Sequence, residues 1–320
     1  MLFITNREPK GDITFEKNRK IDFDLDKNAP SNSLYFCKRD NEFNYKEIGA
    51  NSLMQGLRDD EAMQILLYIH GFSNLPEPDI FPRAIRLQQM FDEKEKNLVR
   101  VVPIIWPCDN DCGIVRDYWD DQKSADNSAY SFARAFEMFL KWREESGKDI
   151  CIKRINILAH SMGNRVLRQT LAAWSRYDLA SGVPLLFRNS FLVAADIVNE
   201  SLEYGQAGEL ISHASRNVSV YYASDDLALR ASKASNLKNK IASRRLGHTG
   251  PESMRKIPNN VYAIDCDDIN TEYDHPIGHS YFLNDPMHRP GKVFEHIFNT
   301  IKTGRVHTDY PLERRHILQM

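Results

Sequence analysis

Six short runs in this 320-residue chain are almost continuously apolar and β-branched: QILLYIHG (64–71), LVRVVPIIWP (98–107), INILAHS (155–161), SFLVAADIV (190–198), VSVYYAS (218–224) and NVYAIDC (260–266). A strand that is apolar on both sides of its pleat needs cover on both faces, which is the situation of a parallel sheet. Helical patterns lie between the runs. In SAYSFARAFEMFLKWREESG, residues Phe132, Ala135, Phe136, Phe139 and Leu140 fall at i, i+3, i+4, i+7 and i+8, with Gly147 as a stop. Leu167, Leu171 and Trp174 repeat the pattern, as do Val293, Phe294, Ile297 and Ile301, with Pro290 suited to a first turn. Strands alternating with helices predict an α/β fold: a doubly wound, mostly parallel sheet with helices on both faces.

The first sixty residues, including NSLYFCKRD and NYKEIGA, read as short strands with polar turns, an antiparallel edge on that sheet. No linker, repeat or low-complexity segment divides the chain, so residues 1–302 are expected to form a single domain and 303–320 a polar, peripheral tail. Two irregular stretches stand out. Residues 72–83 hold three prolines, and 225–258 form a basic loop rich in Lys, Arg and Ser. A formal net charge of -2 gives no pull toward nucleic acid. The N-terminus turns polar too early for a signal peptide and no run is long enough to span a bilayer, so a cytoplasmic protein without a transmembrane segment is expected. Five scattered cysteines, with Cys108 and Cys112 the nearest pair, read as thiols rather than disulfides or metal ligands.

The chemistry concentrates at INILAHSMGNRVLRQTL, where a strand pattern meets a helix pattern at Ser161. Ala159 and Gly163 flank it two residues away on each side, the small residues a sharp strand-to-helix elbow requires. A hydroxyl there is a candidate nucleophile, which needs a base, an acid to orient that base, and donors for an oxyanion. Met162 N–H, at the helix start, is one candidate donor. Phe72 N–H is the other, because His70-Gly71 ends an earlier strand and a glycine there would turn the amide outward. His279, in YDHPIGHSYF after the last strand, is the candidate base. Pro276 and Gly278 make that segment a turn, so His275 and His279 do not share a helical face as zinc ligands at that spacing would. His248 is a lesser alternative, and His160 packs or hydrogen-bonds beneath the elbow. For the acid, Asp226 in ASDDLAL follows the penultimate strand and is preferred to Asp196 in VAADIV, while Asp225 is expected to face solvent. Phe72, Leu75, Ile80, Phe81, Tyr118 and Trp119 either line an acyl pocket or cover, or pin loops to the core.

The chain resembles the α/β-hydrolase fold superfamily, and more narrowly a bacterial family of uncharacterised esterase- and lipase-like serine hydrolases. The resemblance covers about residues 1–302 and rests on FITNR, YIHGFSN, IIWP, Tyr118 to Asp121, LAHSMGN, AADI, ASDDLAL, RRLG and GHSYF. It implies Ser161 as nucleophile, His279 as base and Asp226 as its partner, and leaves Asp196 as a residue lining the site. It implies no substrate.

Together these readings predict a serine hydrolase acting on a carboxylic ester or thioester, with a small ester or lipid-like molecule as substrate and no metal or organic cofactor. The alternative is a non-catalytic scaffold that binds a protein partner or an anionic lipid surface through Arg230, Lys233, Lys238, Lys240, Arg244 and Arg245.

Overall fold

The apolar runs become strands, with five of the six placed to within three residues at both ends; the run 190–198 forms a strand at 187–193 instead. The computed structural model describes residues 1–11, 18–108, 114–145, 153–177, 182–237, 244–285 and 287–319. Its contacts group into two units, Met1–Ile155 and Asn156–Met320.

The first unit contains strands β1 (Leu2–Arg7), β2 (Lys20–Ile21), β3 (Pro30–Asn41), β4 (Asn44–Glu47), β5 (Gln64–Ile69) and β6 (Val99–Ile105). They lie in the order β5-β6-β1-β3-β4-β2. β5, β6 and β1 run parallel, whereas β1, β3, β4 and β2 pair antiparallel in turn, which is the expected N-terminal edge. Every residue of β5 is buried, as its unbroken apolar run requires. The helices of this unit are α1 (Ala50–Asp59), α2 (Phe81–Lys94) and α3 (Ile114–Glu145). The last is longer than its apolar pattern indicates, and Phe132, Ala135, Phe136 and Phe139 form its buried stripe.

Residues 72–83, expected to be irregular, are ordered by a single π-helical turn, Pro76–Ile80, that runs straight into α2. Ile80 and Phe81 are fully buried, and Phe81 packs edge-on against Phe3 with ring centres 5.1 Å apart. These two side chains pin the segment to the core. Phe72 and Tyr118 instead meet each other edge-to-face at 5.7 Å.

A buried carboxylate completes the attachment. Glu77 Oε1 accepts from Arg39 Nε at 3.0 Å, from the Phe43 amide at 3.0 Å and from the Tyr45 hydroxyl, while Oε2 accepts from Arg39 Nη2 at 2.7 Å. Burial alone would raise the pKa of such a group. The Arg39 guanidinium, the Tyr45 hydroxyl and the Phe43 amide outweigh it and hold the Glu77 carboxyl below its ordinary pKa.

The second unit carries β7 (Arg154–His160), β8 (Phe187–Val193), β9 (Ser215–Tyr222), β10 (Val261–Asp265) and β11 (Arg315–Ile317), neighbours in that order. β8 through β11 pair in parallel. Its helices are α4 (Gly163–Tyr177), α5 (Glu209–His213), α6 (Leu227–Leu237), α7 (Leu246–Thr249), α8 (Asn270–Tyr273) and α9 (Lys292–Thr303). The apolar stripes of α4 and α9 are buried as predicted, but Pro290 sits just outside α9, whose N-cap is Gly291. Two expectations change here. The stretch expected to be a basic loop contains α6 and α7, and the tail supplies β11, whose buried His316 lies between exposed Arg315 and Ile317. The mostly parallel α/β sheet with antiparallel N-terminal strands is what the structure contains.

Removing one partner of a buried, hydrogen-bonded ion pair leaves the other charge uncompensated. Glu77→Gln should therefore lower unfolding stability by about 3 kcal/mol at neutral pH, measured by urea denaturation. Because the folded pKa is depressed, this contribution is present above the ordinary carboxylate range and is lost as pH falls through the lowered value. The gap between wild type and variant should close in acid.

Candidate active site

Ser161 stands between the end of β7 and the start of α4 with a left-handed φ of 52°, a conformation costly for a residue with a Cβ. Its surroundings over-determine it. Ser161 N–H donates to the Val193 carbonyl at 3.0 Å, and the Ser161 carbonyl accepts from the amides of Asn164 at 3.1 Å and Asp196 at 3.2 Å. The buried Asn164 adds Nδ2 bonds to the carbonyls of Ala159 at 2.9 Å and Ser161 at 3.1 Å. One amide thus ties the strand end to the elbow, a role that the sequence motif LAHSMGN contains but that local periodicity does not reveal. Among the described residues, neither Ser161 Oγ nor Met162 N–H makes a hydrogen bond.

Asp226 and His279 are brought together. Asp226 is fully buried, and its Oδ1 accepts the Leu229 amide at 2.9 Å while its carbonyl accepts the Arg230 amide at 3.1 Å, the geometry of an N-cap on α6. Its other oxygen, Oδ2, lies 2.7 Å from His279 Nδ1. Burial alone would lower the imidazole's pKa. The charge and hydrogen bond of Asp226, reinforced by Asp196 and Asp274, override it and hold His279 above its ordinary value.

The loop carrying His279 is fastened at several points. Asp274 Oδ2 accepts the amides of His279 at 2.7 Å and Ser280 at 2.6 Å. Asn270 Nδ2 bridges the Gly278 carbonyl at 3.0 Å and Asp225 Oδ1 at 2.6 Å. Asp225 is therefore half-buried and anchors this loop, in contrast to the solvent-facing position expected for it. Gly278 has φ 65°, and a Cβ there would meet Asn270 Nδ2 at 2.4 Å. His160 completes the framework: its Nε2 donates to the His279 carbonyl at 3.1 Å, and its ring lies 4.8 Å from that of His279 and 5.0 Å from Phe282. The residue before the elbow thus positions the backbone of the candidate base.

Asp196 is engaged elsewhere. Its Oδ1 accepts from Ser232 Oγ at 2.7 Å and lies 3.1 Å from Arg245 Nε. Arg245 is buried, so the RRLG stretch turns inward: Leu246 N–H and Gly247 N–H donate to the carbonyls of Ile197 and Ala195 at 2.8 and 2.9 Å. A Cβ on Gly247 would meet Ala195 N at 2.1 Å, which explains the glycine. His248 belongs to α7, and both oxygens of Asp226 are already taken by Leu229 and His279. Arg230 donates to the Ser224 carbonyl at 2.9 Å and Arg244 lies 3.5 Å from Glu252, so the arginines of the proposed adhesive patch all have partners. Lys238, Lys240 and the side chain of Lys233 lie outside the described residues, as does Cys112.

Phe72 belongs to the first unit, two residues beyond the His70 that follows β5. Gly71 is not the left-handed residue there; Ser73 is, with φ 55° and its amide on Asp121 Oδ2 at 2.9 Å. The turn is made two residues later than expected because the buried Asp121, which also accepts from Asn28 at 2.7 Å, supplies the acceptor at that point. Phe72 N–H makes no hydrogen bond among the described residues. His70 is buried and stacked on Trp106 at 5.1 Å, and burial drives its pKa down to about 3.

Residues 46–291 match the family described as alpha/beta hydrolase of unknown function (DUF900). The chain belongs to this family. No curated protein matches it. Among solved structures it is similar to phospholipase PlaB from Legionella pneumophila in complex with thio-NAD, at 14% identity and a TM-score of 0.30 over 69% of this chain and 41% of that one. A second structure of the same phospholipase gives 13% identity and a TM-score of 0.28 over 67% and 41%. The chain thus spans about two fifths of the length of that protein. No helix among the described residues is long and apolar enough to cross a membrane.

Two outcomes follow from this geometry. Asn164→Ala deprives the buried elbow carbonyls of their donor and should cost about 2 kcal/mol of stability by chemical denaturation. The His279 ring should titrate above pH 6.5 by NMR, and in Asp226→Asn its midpoint should fall below that of wild type.

Proposed function

We propose that this α/β-hydrolase family member is a serine hydrolase that cleaves a carboxylic ester or thioester through an acyl-enzyme intermediate. The observation that carries the reading is the 2.7 Å contact between His279 Nδ1 and a buried carboxylate that a helix N-terminus holds in place. An Nδ1–H committed to Asp226 leaves Nε2 with a lone pair, the tautomer a general base requires. The left-handed Ser161 on its elbow supplies a hydroxyl whose backbone is locked before any substrate arrives.

In this mechanism Ser161 Oγ attacks the substrate carbonyl and passes its proton to His279 Nε2. The raised pKa of His279 favours the imidazolium that forms, with Asp226 balancing its charge. Met162 N–H, at the positive end of the 15-residue α4, donates to the tetrahedral oxyanion. The second donor in the proposal is Phe72 N–H, assigned from its place in the chain. His279 then returns the proton to the departing alkoxide or thiolate. Water, deprotonated by the same nitrogen, attacks the acyl-Ser161 ester and releases the acid. The substrate class is a small ester or lipid-like acyl compound.

A fluorophosphonate probe should label wild-type protein on Ser161, and intact-mass analysis of Ser161→Ala should show no adduct. Undiminished labelling of that variant would remove the assignment. With p-nitrophenyl esters of graded chain length, Asp226→Asn should lower kcat by about 10⁴-fold with folding retained. Asp196→Asn should do so far less, since its carboxylate faces Ser232 and Arg245. A reversed ranking would transfer the acid role to Asp196. The acid limb of kcat/KM should lie above pH 6.5, because activity needs the neutral imidazole and its pKa is raised.

A further inference from the structure

The tail that follows α9 brings together a group of side chains that the hydrolytic reading does not use. His307 and Asp309 are two residues apart in the chain that leaves the helix, and in an extended segment that spacing puts both side chains on one side. A turn then reverses the chain. Tyr310 N–H donates to the Arg315 carbonyl at 3.1 Å, and Arg314 takes a φ of 55°. This reversal delivers His316, on β11, to the same place. The metal-binding atoms of His307, Asp309 and His316 all lie within 4.8 Å of one another.

We propose that His307, Asp309 and His316 form a binding site for a divalent transition-metal ion of the zinc type, which fastens the tail to the edge of the second unit's sheet. Two imidazoles and one carboxylate are a ligand set suited to Zn²⁺ or Co²⁺ rather than to Ca²⁺ or Mg²⁺, which prefer oxygen alone. In a tetrahedral site with bonds of about 2.0–2.1 Å, ligand atoms stand roughly 3.3 Å apart. Here His307 Nε2 is 3.7 Å from Asp309 Oδ1, and His316 Nδ1 is 2.7 Å from Asp309 Oδ2. The second pair stands at hydrogen-bond distance, a contact that a metal ion bound to both groups would replace.

The surroundings fit a metal site's outer layer. His296 donates from Nε2 to the His307 carbonyl at 3.1 Å, takes the Tyr221 hydroxyl at Nδ1 at 2.8 Å, and stacks on the His316 ring at 5.2 Å. It holds one ligand's backbone and the other's ring in place. His316 pairs with Ile264 of β10 and is rigidly placed, whereas His307 and Asp309 are open to solvent, so an ion can enter and water can fill a fourth position.

The test uses full-length, tag-free protein stripped with a chelator and titrated with Co²⁺, followed by visible absorption. The expected result is one Co²⁺ per chain with ligand-field bands, displaced by Zn²⁺, and Zn²⁺ should slow tryptic cleavage after Arg315. His307→Ala and Asp309→Asn should each weaken binding roughly 10-fold or more. Both side chains are largely exposed, so the substitutions spare the core. His213→Ala, which alters a histidine–glutamate pair elsewhere on the surface, should leave affinity unchanged. Absence of stoichiometric Co²⁺ binding, or an affinity that neither His307→Ala nor Asp309→Asn reduces, would overturn the proposal.

Discussion

The second unit's chemistry depends on how one carboxylate is divided. Asp226 gives one oxygen to the first turn of α6 and the other to His279, so the same side chain starts a helix and orients an imidazole. Neither partner alone would hold it so firmly. The capping bond removes the carboxylate's rotational freedom, and full burial strengthens its field at His279. The result is visible in the sign of the imidazole's shift: a buried histidine would ordinarily become less basic, and this one becomes more so.

The elbow shows the complementary principle, a strained backbone held by many modest bonds. Ser161 is not a glycine, yet it occupies the left-handed region. Its own amide and carbonyl, together with Asn164, link the ends of β7 and β8 around it. Ala194, directly after β8, is likewise left-handed at φ 46°, so two adjoining strand ends carry the same strain. Such positions persist because neighbouring segments leave no easier conformation.

Much of this was legible in the sequence because it is local. Runs of β-branched residues declare buried strands, and small residues on both sides of Ser161 declare an elbow. Chain order suggests Asp226 and His279 as partners, and their side chains do meet. What escaped depends on contacts between distant segments. Helix α6 is hidden in LALRASKASNL, whose serines and basic residues blur any apolar stripe; its start is set by Asp226, a residue read only for its chemistry. Strand β11 spans three residues with a single buried side chain, too short to show alternation. The shift of the turn from Gly71 to Ser73 needs Asp121, forty-eight positions away, and Arg245 turns from a surface charge into a buried partner only once Asp196 is beside it.

Just past the end of β9, Ala223 is joined to Gly247 of α7 by a 3.0 Å hydrogen bond from the Ala223 amide to the Gly247 carbonyl. The segment between them, which includes α6, is therefore tied together at its two ends. Closing such a loop costs entropy that grows only logarithmically with its length, about 0.6 kcal/mol for each doubling. Extra residues added beyond the capped start of α6 and before the inward-turned Arg245 would therefore leave the tie, and the placement of Asp226, almost undisturbed. The excursion is the part of this unit in which length is thermodynamically cheap, so it is where chains of this architecture have room to diverge in size while keeping the geometry around His279.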